Sequence, residues 1–183
     1  MKIDLFDLIH DLEYKDIALL GNASSIMKTK KDIDKHEIVC RINRGTPQGK
    51  ESYIGSRTDV LFTATKIDPL LKQFNAKYII WTTKCTKLLT PKLDEIAYQN
   101  PPEDWEKLKA LCPVDKLPST GLVALQFLAK QIHFKNLTIY GFDCFHTGTW
   151  YHSMKNQPWH VGEFEESFIN KLIKEQGNIQ WIK

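Results

Sequence analysis

Short runs of consecutive apolar residues punctuate this chain: IALL (17–20), EIVCRIN (37–43), DVLFTA (59–64), YIIWTT (78–83), LTIYGF (137–142) and IQWI (179–182). Each reads as a strand, and apolar residues at successive positions fit burial on both faces of a parallel sheet. Helical patterns fill 67–75, 102–111, 120–132 and 162–175. A further amphipathic helix near the N-terminus gathers Leu5, Leu8, Ile9 and Leu12 on one face. This alternation predicts an α/β fold: a single Rossmann-like domain over 1–183, its mostly parallel sheet flanked by helices. The least regular stretch runs from Thr86 to Leu117, where Pro91, Pro101, Pro102 and Pro113 break the pattern into short pieces. A lid and an irregular crossover are both open readings there.

Composition narrows the function classes. A chain of 183 residues, 42% hydrophobic and 26% charged, is an ordinary soluble globular domain. Its net charge of +3 suits an anionic small ligand or an anionic membrane surface and is too small to argue for nucleic acid. Asp4, Asp7, Asp11 and Glu13 interrupt the N-terminal apolar positions, so no signal peptide or transmembrane anchor is expected there. Cys40, Cys85, Cys112 and Cys144 show no CxxC spacing and read as reduced thiols of a cytoplasmic protein.

In an open α/β sheet, ligands collect beyond the carboxyl ends of the strands, and four segments there carry unusual residues. Gly21-Asn22-Ala23-Ser24-Ser25 follows the first strand; it offers a sharp turn, small side chains and an amide, but spells neither GxGxxG nor GxxxxGK[ST]. Arg41-Ile42-Asn43-Arg44 ends the second strand and suits an anion or a sugar. Arg41 also fits a structural ion pair, and Arg57, in the Gly55–Asp59 stretch, fits either pocket support or a strand entry. Pro118-Ser119-Thr120-Gly121 opens a helix; Ser119 or Thr120 is a natural N-cap, and the amides beyond it suit phosphate or carboxylate. A nucleophilic serine would need a GxSxG elbow, which is missing. Finally, Gly141, Phe142 and Asp143 lead into a stretch holding Cys144, His146, His152 and His160. The Cys-x-His spacing matches no standard zinc pattern, so the histidines fit acid–base work better than metal ligation. Glu165, five residues after His160, is either that base's carboxylate or a first-turn helix acid.

Taken together and in order, these segments resemble the sialyltransferases of glycosyltransferase family 29. IALLGNASSI, DIDKHEIVCRINRG and IGSRTDVLF look like the large sialyl motif; PSTGLVALQFLA with LTIYGFD looks like the small one. TWYH (149–152) resembles the third motif, and His160 with Glu165 the very small motif. The likeness spans roughly Ile17 to Glu165. It implies a modified GT-A fold and inverting transfer of a sialic-acid-type sugar from a CMP-sugar donor to a glycan or glycolipid hydroxyl, with no cofactor and no metal. It further implies that Gly21, Asn22, Ala23, Asn43, Ser119, Thr120, Gly121, Gly141, Phe142 and Asp143 form the donor site. His160 is implied as general base, His152 as the partner of the leaving phosphate and Glu165 as the conserved acid. Asp32-Ile33-Asp34 has a DxD spelling but matches the family's ID segment and reads as structural.

The chain also departs from animal members, which have a membrane anchor, a stem and a disulfide joining the two long motifs. Asp16 and Phe134 stand where those cysteines would be. The resemblance is therefore to a compact bacterial-type version, cytoplasmic or peripheral at the inner membrane face, building a lipopolysaccharide or capsule. The stretch 86–117 becomes a lid or an acceptor-binding insertion. A CMP-Kdo-dependent transferase, a CMP-sugar hydrolase and a non-catalytic CMP-sugar binder are the competing readings.

Overall fold

A computed structural model describes residues 4–28, 32–152 and 158–183 of the protein. Its strands are β1 (Asp16–Leu20), β2 (Ile38–Ile42), β3 (Val60–Thr63), β4 (Tyr78–Trp81), β5 (Tyr98–Gln99), β6 (Asn136–Tyr140) and β7 (Ile179–Ile182). They pair in parallel throughout to make one seven-stranded sheet, ordered β5-β4-β3-β2-β1-β6-β7. The helices are α1 (Leu5–Leu12), α2 (Glu51–Ile54), α3 (Leu71–Phe74), α4 (Pro91–Ile96), α5 (Pro102–Leu111), α6 (Thr120–Gln131) and α7 (Gly162–Gln176). Single 3-10 turns stand at Ser24–Lys28, Ile33–Lys35 and Asp68–Leu70. Among the described residues no helix is long and apolar enough to cross a membrane.

The consecutive apolar runs are explained by burial on both faces. Ile17, Leu19, Cys40, Ile42, Val60, Phe62 and Ile139 pack into one large cluster with α1, α5 and α6. Their neighbours Ala18, Leu20 and Val39 pack instead with Ile26, Ile33 and Ile54. Leu61, Ile79 and Trp81 pack with Phe74 and Leu93. The central helix α6 buries Leu122, Val123, Leu125, Phe127 and Leu128, and each leucine there contributes about 2 kcal/mol by burial. Leu8 and Leu12 of α1 are buried as the amphipathic pattern predicts.

Three elements differ from the sequence expectation. The helix expected over 67–75 is a 3-10 turn followed by the short α3, which Asn75 ends in a left-handed conformation at φ 47°. The stretch 86–117 contains α4 and β5 besides the expected α5. Its prolines start helices rather than break them: Pro91 and Pro102 stand in the first turns of α4 and α5, where a missing N–H costs nothing. The Thr90 hydroxyl accepts from the Leu93 amide to complete the α4 cap. The short α2 is also unannounced in the sequence pattern.

At the carboxyl ends of β1 and β6, two glycines let the backbones touch. The Gly21 amide donates to the Tyr140 carbonyl at 2.7 Å, and a Cβ on Gly21 would stand 2.4 Å from the Gly141 carbonyl oxygen. Gly141 itself has φ 65°, a left-handed conformation that favours glycine. Gly21→Ala is expected to lower stability by about 2 kcal/mol, read from urea unfolding. An unchanged unfolding midpoint would contradict this close approach.

Candidate active site

Strand order reverses at β1, which has β2 on one side and β6 on the other. The chain therefore diverges beyond β1 and β6 and leaves a crevice, the usual place for a ligand in such a sheet. A cavity of about 200 Å³ occupies it. Gly21, Asn22 and Ala23 line it from the turn after β1, Asn43 from the end of β2, and Ser119, Thr120 and Gly121 from the start of α6. Gly141, Phe142 and Asp143 complete it from the end of β6, and His160 and Glu165 stand on its far wall. Segments distant in sequence thus meet around one space.

Hydrogen bonds hold this lining in place. Asn22 donates through Nδ2 to the Ile42 carbonyl (2.9 Å) and the Tyr151 hydroxyl (3.1 Å). Asn43, left-handed at φ 50°, accepts through Oδ1 from the Ala64 amide (3.0 Å) and donates through Nδ2 to the Thr120 hydroxyl (3.2 Å). It thereby ties β2, β3 and the start of α6 together. The Phe142 ring fills a slot that only glycines leave open, because a Cβ on Gly21 or on Gly121 would stand 2.8 Å from it. The Asp143 carboxylate accepts from the Ser25 hydroxyl and from the amide and hydroxyl of Thr147. It fastens the loop after β6 to the turn after β1.

Two groups on the far wall have shifted acidities. Glu165 is 4% exposed; it accepts from the Ser119 amide (3.1 Å) and from the Ser119 hydroxyl (2.9 Å). Burial pushes its carboxyl up to about 7 although both hydrogen bonds favour the ionised form. The Ser119 hydroxyl in turn accepts from the Leu122 amide at 3.1 Å as the N-cap of α6. The His160 ring stacks on Phe145 with centroids 5.3 Å apart, and its Nδ1 lies 2.8 Å from the Leu117 carbonyl oxygen. A carbonyl only accepts, so Nδ1 carries the proton and Nε2 carries the lone pair. Burial lowers the His160 pKa below its ordinary 6.5, and the bond to Leu117 only partly opposes that. A neutral imidazole with a free Nε2 is a base.

Several sequence-based expectations need correction. Glu165 is not hydrogen-bonded to His160; its oxygens are both spent on Ser119. His152 is exposed and does not line the cavity; its amide donates to the Thr149 carbonyl within a tight turn. Its neighbour Tyr151, named only within the TWYH motif, lines the cavity instead. Arg41 and Arg57 are not pocket support. Arg41 is 1% exposed and shares the face of β2 that Val39 uses, opposite to Ile42. Its guanidinium donates to the carbonyls of Ile54, Gly55 and Arg57 and to the Thr58 hydroxyl. Arg57 pairs with Asp59 at 2.7 Å and donates to the His36 and Glu37 carbonyls. Among the described residues no three His, Cys, Asp or Glu side chains gather as a metal site would need. Burial, with Glu166 and Glu165 nearby, raises the Cys144 thiol to about 12. His146 lines an adjoining hollow with Lys116, Glu163 and Glu166, and Cys144 and His160 line both that hollow and the cavity. Phe145, which supports His160, carries no sequence signal at all.

Comparison with known proteins bears on this geometry. No family model matches the chain. A chicken CMP-N-acetylneuraminate-beta-galactosamide-alpha-2,3-sialyltransferase 1 is 25% identical over 182 residues, covering 84% of this chain and 51% of its own length. The chain thus spans about half of that curated relative. Among solved structures, the sialyltransferase CST-II in complex with CMP superposes with a TM-score of 0.63 at 12% identity, covering 91% of this chain and 80% of its own. A mammalian sialyltransferase in complex with Gal-beta-1-3GalNAc-ortho-nitrophenol gives a TM-score of 0.58 at 17% identity, over 93% and 70%. The chain is sialyltransferase-like in sequence and in fold.

The Glu165 shift makes a stability prediction with a definite sign. Its folded-state pKa, about 7, is raised above the ordinary 4.5, so the folded protein holds the proton more tightly. The associated stability is full below pH 4.5 and is lost as pH rises through 7. Relative to Glu165→Gln, the wild type should lose about 3 kcal/mol across that window in urea unfolding. Parallel curves for the two proteins would contradict it.

Proposed function

We propose that the protein is a glycosyltransferase that moves a sialic-acid-type sugar from a CMP-activated donor to a glycan hydroxyl, with inversion and with His160 as general base. The observation that carries this reading is the tautomer of His160: its Nδ1–H is held by Leu117, which leaves Nε2 as the basic nitrogen of a ring that lines the cavity at the switch point of the sheet. The likeness to sialyltransferases, some solved with CMP, supplies the donor class.

The chemistry follows from the residues. CMP lies in the crevice between the turn after β1 and the start of α6, with its phosphate toward the amides of Thr120 and Gly121. Those amides precede the first intrahelical bond of α6, and the helix dipole favours an anion there. The acceptor oxygen forms a bond to the anomeric carbon as the bond from that carbon to the phosphate oxygen breaks. The electron pair of the broken bond leaves with CMP, and the proton of the acceptor hydroxyl passes to His160 Nε2. Glu165 acts as a positioning residue, holding Ser119 and with it the first turn of α6. The Tyr151 hydroxyl, which accepts from Asn22 and keeps its own proton, takes the role of donor to the departing phosphate that the resemblance implied for His152. We further read the transfer as independent of metal, since the carboxylates of Asp143 and Glu165 are committed to hydrogen bonds with Ser25, Thr147 and Ser119.

The test is CMP release from CMP-sialic acid and from CMP-Kdo, with and without candidate glycans. Transfer should rise with pH through a pKa below 6.5 and then level off, because only neutral His160 accepts the proton. His160→Ala should lower kcat by about 10²–10⁴ while the CMP dissociation constant stays within a factor of about two. Full-rate release without any glycan would favour a hydrolase. Loss of CMP affinity in His160→Ala would remove the base assignment, and no release from either donor would overturn the transferase reading.

A further inference from the structure

Helix α7 buries Glu165 and Ile169 on its inner side, while its outer side forms an open groove. Glu163, Ser167, Asn170 and Lys174 are all exposed and line that groove. Their i, i+4, i+7, i+11 spacing puts them on one line down the helix. The line reads acid, small polar, small polar, base, so turned end for end it is its own complement. The charges on either side of it are answered within the chain: Glu166 pairs with Lys183 at 2.7 Å, and Lys171 with Glu175 at 3.8 Å. Glu163 and Lys174 form no ion pair among the described residues. They answer only the dipole of their own helix, an acid in its first turn and a base in its last.

We propose that two copies of this chain pair through α7, antiparallel, about a two-fold axis that passes between Ser167 and Asn170. Such an axis sets Glu163 of each copy against Lys174 of the other, since the two positions lie about three helical turns apart on one line. Ser167 and Asn170 meet at the centre, where short side chains let the helix axes approach to about 8–10 Å and their polar groups bond across the seam. Antiparallel packing also lays the positive start of each helix beside the negative end of the other. Glu166 and Lys171 flank the seam already neutralised by Lys183 and Glu175, so no uncompensated like charges confront each other. A second copy is the partner because the line carries both halves of its own complement. The seam involves one helix of 15 residues, about 22 Å long, which is short for a stable interface, so the dimer is weak and sensitive to salt. Glu163 also lines the hollow that His146 and His160 share, and the pairing brings Lys174 of the second copy to that rim.

The experiment is sedimentation equilibrium of the full chain over a range of protein and salt concentrations. It compares the wild type, Glu163→Lys, Lys174→Glu and the double variant that carries both changes. The wild type should dimerise with a dissociation constant on the order of 10–100 μM at low salt, weakening as salt rises. Each single variant sets like charges together at both ends of the seam and should raise that constant by about tenfold. The double variant, and an equimolar mixture of the two single variants, restore opposite charges at both ends and should dimerise like the wild type. A wild type that stays monomeric at about 1 mM would overturn the pairing. So would a dimer that both single variants leave unchanged, or a double variant and a mixture that both remain monomeric.

Discussion

Glu165 accepts hydrogen bonds from both the amide and the hydroxyl of Ser119, joining two helices across 46 residues of chain. The arrangement is costly, because a carboxyl this deeply buried loses its hydration and its ionised form is disfavoured. What it secures is the relative placement of the starts of α6 and α7. The start of α6 supplies Ser119, Thr120 and Gly121 to the crevice, and the chain just ahead of α7 supplies His160. The same region is pressed onto the loop after β6: a Cβ on Gly162 would stand 2.2 Å from the Cys144 carbonyl oxygen. That approach brings Phe145, left-handed at φ 67°, beneath the His160 ring. His160 is thus held by its stacking on Phe145, its bond to Leu117 and the anchoring of the helix that follows it.

The crevice exists because the chain leaves β1 and β6 toward opposite sides of the sheet, while two glycines keep the ends of those strands in contact. Around this gap the protein sorts polarity by side. Toward β1 and β6 the wall carries amides, hydroxyls and two committed carboxylates; toward β3 and β4 the described lining residues mix Thr82, Thr83 and Cys85 with Leu88, Trp105 and Leu117 and include no Asp, Glu, Lys or Arg. His160 divides the two.

Much of the fold was legible in the sequence, for a physical reason. A parallel sheet buried on both faces forces consecutive apolar residues, and six of the strands carry such runs. The seventh, β5, has only two residues, too few for any pattern. Pro91 misled because proline breaks a helix interior yet suits a first turn, and sequence alone does not reveal which position it holds. The crevice residues were legible because turns at strand ends need glycine, and helix starts need capping side chains, at identifiable places. Arg41 was not: its neighbour Ile42 faces the large core, and one step along a strand reverses the face. His152 was named from its match to the third motif, a likeness that carries no information on which side chain of an irregular loop reaches the cavity; Tyr151 lines it. The stretch 86–117, which the sequence marked as a lid or an acceptor-binding insertion, supplies Leu88, Trp105 and Leu117 to a second cavity, whereas Thr82 and Thr83 on the same wall carry no motif.

The most direct measurement of the central claim is a crystal structure with an unreactive CMP-sugar analogue bound. The account predicts density for the phosphate at the amides of Thr120 and Gly121. It also predicts a sugar whose anomeric carbon lies on the His160 side, leaving room for an acceptor oxygen about 3–3.5 Å from that carbon. A nucleotide bound outside this crevice, or one whose sugar points away from His160, would contradict the account.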